Sequence, residues 1–292
     1  MVFSQKYEKI TEYVSKELST LKNFIAEELV GLSSGEEKFD CVIKRFVGAK
    51  SKHIRSVLSF LYLRAKGYEI NENQIRFQAI IELIHNASLI HDDVIDGSRT
   101  RRSEKSLNAN LGNHLSVIGG DFILSYVLKY LTSLGSFELL SMVSNTMSTM
   151  CKGEVSQYYS RYEIPTLEEY LKKTYAKTGA LFELALSGAE YLAVGGISKE
   201  TKEFAKNFGI AFQIRDDIKN IVDNPPNGDI QNGIYTAPVI FSGDITEPEA
   251  GLEKAKDLLD NYIRKSALCL TNSDESDYKR AMCELLDLIG NE

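Results

Sequence analysis

No proline occurs between residues 1 and 164, and the five that follow, Pro165, Pro225, Pro226, Pro238 and Pro248, fall near apparent helix ends or loops. Proline removes a backbone donor and clashes with the preceding turn, so its absence over such a length leaves long uninterrupted helices open to the chain. The apolar spacing agrees. Ile75, Ala79, Leu83, Ala87, Ile90 and Val94 recur at three- and four-residue steps within 71–96, the repeat that lays one helix face on a core. Asn71 with Gln74 has the form of a capping box at the start of that helix, and Thr166 with Glu169 forms a second directly after Pro165. Comparable periodicity occupies roughly 115–134, 136–160, 199–223 and 249–270. Breaks fall at 31–37, 67–73, 97–113, 195–198, 223–233 and 271–276. No stretch alternates as a strand does, no unit repeats, and no low-complexity linker divides the chain. The expectation is an all-α fold: one domain over 1–292, a bundle of long antiparallel helices around a central cavity.

Composition bounds the partners. With 43% hydrophobic and 26% charged residues, a chain of 292 residues is an ordinary globular protein, large enough to bury a core around a deep pocket. Its net charge is −7 and its basic residues are dispersed, which argues against a nucleic-acid surface. Any anionic ligand must therefore be met locally. Cys41, Cys151, Cys269 and Cys283 make no CxxC pair, so neither a zinc site nor a disulfide framework is expected, and they read as reduced core thiols. Charges run through the opening MVFSQKYEKITEYV, and Asp121, Lys129, Glu183 and Glu190 interrupt later apolar runs. A cytoplasmic protein without a membrane span is the expectation.

The chemistry concentrates in LIHDDVIDGSRTRRSEKSLN, residues 89–108. Asp92 and Asp96 leave one helix face with Cβ atoms about 5–6 Å apart, while Asp93 sits around the side. Oxygen donors in this arrangement suit Mg²⁺, which keeps waters and substrate phosphates in its shell and needs only one or two carboxylates. The plain alternative is a solvated acidic turn, which at a helix C-terminus would oppose the dipole unless a cation neutralised it. The pattern echoes at FQIRDDIKNIVD, where Asp216 and Asp217 follow an apolar run and Asn220 stands one helical turn beyond Asp216. One such pair is weak evidence. Two, on two long helices, can face each other across a bundle and clamp a polyanion through metal ions. Glu82 and His85 also form the ExxH pair of di-iron bundles, but Lys50, Ser88 and Leu111 stand three residues before the other histidines, so the second ligand set is missing and no iron site is expected.

IELIHNASLIHDDVIDGSRTRR (81–102), CKGEVSQ (151–157), AKTGALF (176–182), FGIAFQIRDD (208–217) and NGIYTAPV (232–239) stand in an order that resembles the trans-isoprenyl diphosphate synthase family, in particular its long-chain, octaprenyl-type members. The resemblance covers nearly the whole chain. It implies an isoprenoid-synthase bundle that joins isopentenyl diphosphate to an allylic diphosphate, with Mg²⁺ bound by Asp92, Asp96 and Asp216. Arg101, Lys177, Thr178 and Gln213 would contact the allylic diphosphate, and Lys52, Arg55, His85 and Arg102 the diphosphate of isopentenyl diphosphate. Asp92, Asp96, Asp216 and Lys177 would thus carry the catalytic step, with the arginines supplying charge-assisted, bidentate bonds to phosphate. The released diphosphate would itself take the departing proton, and homodimers are usual. Taken singly, each of these cations would read as an ordinary helix-surface residue and Gln213 as a bridge between helices. Arg99 lies outside the matching positions and reads as solvated.

Product length is expected to follow from Ser88, one turn of roughly 5.4 Å below Asp92, and Ala87 beside it. Both are small, where an aromatic residue would stop a growing tail, so a long product of about C30 or more is expected. Short-chain farnesyl or geranylgeranyl synthesis is the alternative. Three positions depart from the commonest family pattern: His53 follows Lys52 in place of an arginine, Asn220 ends the second acidic motif in place of an aspartate, and Ile234 stands where a lysine is frequent. These departures keep a binding-only reading open, a non-catalytic subunit of a heteromeric synthase, although such a subunit would normally have lost the first motif. A class I terpene cyclase ranks last, because NIVDNPPN lacks the Asn/Ser/Glu metal motif and a cyclase needs no second diphosphate site.

Overall fold

The computed structural model describes residues 3–102, 104–223, 228–271 and 274–291. Its described part is helical nearly throughout, in chain order α1 (Phe3–Glu12), α2 (Ser15–Gly31), α3 (Glu37–Val47), α4 (Ile54–Ala65), α5 (Glu72–Ile95), the short strands β1 (Thr100–Arg101) and β2 (Glu104–Lys105), α6 (Leu107–Ser133), α7 (Phe137–Tyr159) and α8 (Leu167–Thr174). A π turn (Tyr175–Gly179) leads into α9 (Ala180–Val194), followed by α10 (Lys199–Asp223), α11 (Gly228–Gln231), α12 (Ala237–Ser242), a 3₁₀ turn (Pro248–Gly251), α13 (Leu252–Leu268) and α14 (Asp277–Gly290). Pro225 and Pro226, and part of the 271–276 break, lie outside the described residues.

Both expected capping boxes form. Asn71 accepts from the backbone of Asn73 at 2.9 Å and its own N–H donates to Gln74 at 2.8 Å, while the Thr166 N–H donates to Glu169 at 2.9 Å and the Thr166 hydroxyl accepts from the Glu169 N–H. Each box satisfies donors that a helix start otherwise leaves open. The segment expected as a loop over 97–113 is shorter than that. It turns through an antiparallel two-residue ladder pairing Thr100 with Lys105, and α6 starts at Leu107 with a kink at Gly112, where φ is 80°. A two-residue strand cannot show alternation, so the sequence pattern had nothing to report there.

Helix α5 packs against both α6 and α9, and α10 packs against α9 and α13, so α9 separates the two helices that carry the acidic motifs. The core between them is aromatic. Phe77, Phe182, Phe204 and Phe208 are fully buried, and Phe182 meets Phe208 with centroids 5.4 Å apart. Burial of each such side chain contributes about 1.5–3 kcal/mol, which makes this layer a rigid mount for whatever α5 and α10 present.

One of these expectations needs correction. The cysteines are free thiols but not core residues: Cys41, Cys151 and Cys283 are exposed and Cys269 is half-buried, because they fall off the buried stripes of their helices. Helix α6 is long and apolar enough, by length and composition alone, to cross a membrane. Here it lies along α5 as part of the bundle, with Ile123, Val127 and Leu131 buried and Leu115, Val117, Ile118 and Leu128 exposed.

Candidate active site

One cavity of about 680 Å³ collects residues that are far apart in the chain. Asp92, Asp96, His85 and Ser88 reach it from α5, Arg101 and Arg102 from the hairpin, Lys177 and Thr178 from the π turn, Gln213 and Asp216 from α10, and Lys52 and Arg55 from the start of α4. The structure thus brings together every residue expected to bind metal or diphosphate. Ala87 is the one expected site residue it leaves out.

Close backbone approach creates this convergence. A Cβ at Gly209 of α10 would stand 2.6 Å from the Gly179 Cα, and one at Gly153 of α7 would stand 2.9 Å from the Ala176 Cβ. Without side chains at 209 and 153, α10 and α7 both press onto the π turn. Thr178 then donates to Gln213 at 2.7 Å, and Lys177 pairs with Glu154 at 2.6 Å. The π turn itself is a feature that helical periodicity cannot reveal, and such turns recur at functional sites.

The two DD pairs share a division of labour. In α5, Asp92 and Asp96 face the cavity while Asp93 is fully buried and accepts from Arg101 Nε at 3.0 Å and Nη2 at 2.5 Å. In α10 both Asp216 and Asp217 line the cavity, but Asp217 is nearly buried and already accepts from the Tyr170 hydroxyl at 2.6 Å and the Gln213 amide at 2.9 Å. In each pair one member, Asp92 or Asp216, lines the cavity without a short hydrogen bond of this kind. The other orients a side chain, Arg101 or Gln213, expected to touch phosphate.

Electrostatics favours a cation between the walls. Burial pushes the Asp92 carboxyl up to about 6, with nearby Glu154 and Asp96 adding to the rise against the pull of Lys177 and Arg101. Asp96 is raised by burial and Glu154, and Asp216 by burial against Arg215 and Lys52. On both sides of one cavity, burial thus outweighs the nearby cations at these carboxylates, and oxygen is their only donor type. That donor set fits a hard divalent ion that completes its shell with water and phosphate.

The opposite chemistry lies beside it. Arg55 is half-buried with its guanidinium 4.8 Å from the Phe182 ring centroid, and desolvation lowers its pKa to about 10. Arg55 Nε and Arg102 Nη1 are buried without hydrogen-bond partners among the described residues. Such donors are costly unless something accepts from them, and phosphate oxygens would. His85 is held well below the usual histidine range by burial and then by Arg55. It stands in this cluster as a neutral ring. His53 and Arg102 both adopt left-handed backbone, at φ 50° and 53°, which non-glycine residues keep only where their surroundings hold them there.

A second cavity of about 210 Å³ shares Ser88, Asp92, Met150 and Lys177 with the first and continues between Ile84, Ile95, Leu124 and Met147. Ser88 therefore stands where the two meet. Ala87 is fully buried and lines neither, so of the two small residues expected to set product length only Ser88 borders the shaft. The correction follows from helix geometry: adjacent residues point about 100° apart, and Ala87 turns into the packed interior.

Several contributors went unnoticed in the sequence. Glu154 lies inside CKGEVSQ and could have been taken from it; the ion pair across to Lys177 could not. Asp229 lines the cavity and accepts from the Asn220 amide at 3.3 Å, so a carboxylate from the next turn of chain adjoins the position where the second motif lacks one. Glu82 directs one oxygen to His53 and the other to Ser56, which accords with setting aside an ExxH iron site. Arg99 is exposed, as expected.

Comparison with known proteins converges on one family. The Polyprenyl synthetase family model matches residues 36–274. Octaprenyl diphosphate synthase of Escherichia coli K12 is 33% identical over 257 residues, covering 83% of this chain and 76% of that protein. Solanesyl diphosphate synthase 1 of Arabidopsis thaliana chloroplasts is 33% identical over 79% of this chain, which spans only 60% of that relative's length. A polyprenyl synthase from Caulobacter crescentus, solved in complex with calcium and isoprenyl diphosphate, shares the fold with a TM-score of 0.87 at 22% identity over 98% of both chains. The family model's match over most of the chain, with carboxylates and arginines meeting in one helical cavity, makes this protein a member of the polyprenyl synthetase family of prenyltransferases.

Proposed function

We propose that this protein is a Mg²⁺-dependent trans-polyprenyl diphosphate synthase that condenses isopentenyl diphosphate with an allylic diphosphate primer. The observation that carries this reading is the junction of the two cavities: carboxylates and unpartnered arginine donors at one end, an apolar shaft at the other, with Ser88 between them.

Asp92 and Asp96 on one wall and Asp216 on the other would hold the ions, which supply Lewis-acid stabilisation of charge on the departing diphosphate. Arg101, oriented by Asp93, and Lys177, oriented by Glu154, would grip the same diphosphate with Thr178 and Gln213 beside them. Lys52, Arg55 and Arg102 would hold the isopentenyl diphosphate, with His85 as a neutral hydrogen-bonding neighbour. Ile84, Leu124 and Met147 would exclude water from the allylic carbons, whose cationic character makes them vulnerable to hydrolysis. The leaving diphosphate would itself take the departing proton. The shaft continues beyond Ser88, one helical turn below Asp92, which supports a product of about C30 or more.

The exposed apolar residues Leu115, Val117, Ile118 and Leu128 of α6 and Phe137 of α7 support a homodimer formed through this face, because contiguous exposed apolar area marks interaction surfaces. Free thiols support a cytoplasmic setting. The test is incubation of the purified protein with Mg²⁺, farnesyl diphosphate and labelled isopentenyl diphosphate, followed by chromatographic sizing of the products. Elongation to about C30 or more is expected from the open shaft. Products that stop at about C15–C20 would assign a short-chain synthase, and binding of both substrates without elongation would assign a non-catalytic subunit.

A further inference from the structure

Lys173 is a cation of the main cavity to which the proposed function gives no task. It lines that cavity with Tyr170, Thr174 and Lys177, and steps of three, four and seven residues after Tyr170 keep all four on one face of the chain through α8 and the π turn. Tyr170 fixes that face. Its ring is buried and its hydroxyl donates to Asp217 at 2.6 Å, which ties α8 to α10 one turn before Lys173.

The groups that act on the Lys173 ammonium locate it. Asp217, Lys177 and Asp229 line the same cavity, and Glu154, the fourth, pairs with Lys177 at 2.6 Å. The side chain is half-buried, and burial lowers its pKa, with Lys177 adding to the fall against the pull of Asp217, Asp229 and Glu154. Its ammonium makes no hydrogen bond or ion pair among the described residues. A desolvated ammonium in that condition is costly and is stabilised by an anion arriving beside it. Two cations assigned to the allylic diphosphate are, by contrast, already engaged: Arg101 with Asp93 and Lys177 with Glu154.

A second observation concerns Ile234, which stands where a lysine is frequent and lines the same cavity. Its N–H donates to the Asp229 carbonyl at 2.8 Å, and the Asp229 carboxylate, which accepts from the Asn220 amide at 3.3 Å, also acts on Lys173. Positions 173 and 234 therefore reach one neighbourhood, around Asp229, from different parts of the chain. One carries an ammonium and the other does not. A phosphate oxygen responds to the distance of a charge, not to the segment that delivers it.

We propose that Lys173 is a further cationic contact for the diphosphate of the allylic substrate, supplying from α8 the charge that Ile234 does not. This deepens the proposed function and rests on it. An ammonium is a compact charge on a flexible stem, so Lys173 can donate to a phosphate oxygen while Asp92, Asp96 and Asp216 are left to the metal ions. The contact is made with the bound substrate as well as with the departing diphosphate, so it acts on affinity more than on kcat.

Calorimetric titration of the full-length protein with farnesyl diphosphate in Mg²⁺, without isopentenyl diphosphate, reads the contact apart from turnover. Lys173→Met is expected to weaken this affinity about 10-fold, the scale of a lost hydrogen bond to a charged group. In steady-state assays the KM for farnesyl diphosphate should rise by a similar factor, while that for isopentenyl diphosphate stays within about two-fold. Lys173→Arg keeps a charge at 173, and Ile234→Lys added to Lys173→Met returns one from the other position, so at least one of them should recover most of the lost affinity. An unchanged affinity in Lys173→Met, a loss that neither Lys173→Arg nor Ile234→Lys recovers, or an equal rise in both KM values would overturn the inference while leaving the synthase reading intact. Wild type that binds farnesyl diphosphate without elongating it would overturn the synthase reading alone, and failure of the wild type to bind it would overturn both.

Discussion

The acidic segments of α5 and α10 are written alike and used differently. Both place two adjacent aspartates after an apolar run, and although Asp217 borders the cavity as well, in each pair only one aspartate lines it without a short internal hydrogen bond. Its neighbour is buried and hydrogen-bonded, Asp93 to Arg101 and Asp217 to Tyr170 and Gln213. The walls part company at the next turn. On α5 Asp96 also lines the cavity, within 3.6 Å of Arg161, whereas on α10 Asn220 turns to Asp229. A doubled aspartate thus divides into an open carboxylate and an anchored one, and the two helices differ in what stands at the next turn.

The largest effect should come from the cavity-facing member. Asp92→Ala is expected to lower kcat by about 10²–10³-fold at saturating substrate, because it removes charge stabilisation that grows in the transition state. Steady-state kinetics at graded Mg²⁺ would show it, and an Asp92→Ala enzyme within a few-fold of wild type would end the metal assignment on α5. Asp93→Ala should act on stability as well as on rate. Breaking the buried pair with Arg101 costs about 3 kcal/mol by the general behaviour of such pairs, read as a shift in denaturant midpoint. Equal loss of kcat from the two variants with no change in midpoint would erase the distinction between ligand and anchor.

The shaft offers a parallel comparison between neighbours. Ser88→Phe is expected to shorten the products seen by chromatographic sizing without unfolding the protein, since Ser88 borders both cavities. Ala87→Phe places its ring in packed interior and should instead destabilise the fold by about 1–3 kcal/mol. An unchanged product distribution from Ser88→Phe would remove the shaft from the account of chain length.

Asp92 also makes a pH prediction. Its carboxyl is raised to about 6 in the folded, metal-free protein, above the ordinary value of 3.8, so over that window the native state holds more protons than the unfolded one. Stability of the metal-free protein should therefore fall as pH rises from about 4 to about 6, and Mg²⁺ should raise the melting temperature more at pH about 7 than at pH about 5, where the proton competes for the same oxygen. Equal Mg²⁺ shifts at the two pH values would contradict it. The smallest effect belongs to Arg99. It is exposed beside the hairpin, and Arg99→Ala should stay within about 0.5 kcal/mol in stability, with unchanged kinetics.

The order of helices, their capping boxes and the set of residues that gathers in the cavity were readable along the chain, because burial repeats at helical spacing and the motifs are contiguous. Helix α5 matches its expected bounds to within a residue or so, and residues from five separated segments do meet. What went unread is pairwise. The π turn under Lys177, the Glu154–Lys177 ion pair, the Glu82–His53 contact and the choice of Ser88 over Ala87 each depend on which helix lies alongside. Periodicity reports that a face is covered. It does not say by what.

The sequence by itself determined that α5 and α10 would each deliver carboxylates at their ends, since helical rise and spacing are local properties. Only the tertiary structure decided which carboxylate of each pair is held by internal hydrogen bonds and which is left open to the cavity. Adjacent residues leave a helix about 100° apart, and packing against α6, α9 and α13 sets the rotation that leaves one open and buries its neighbour.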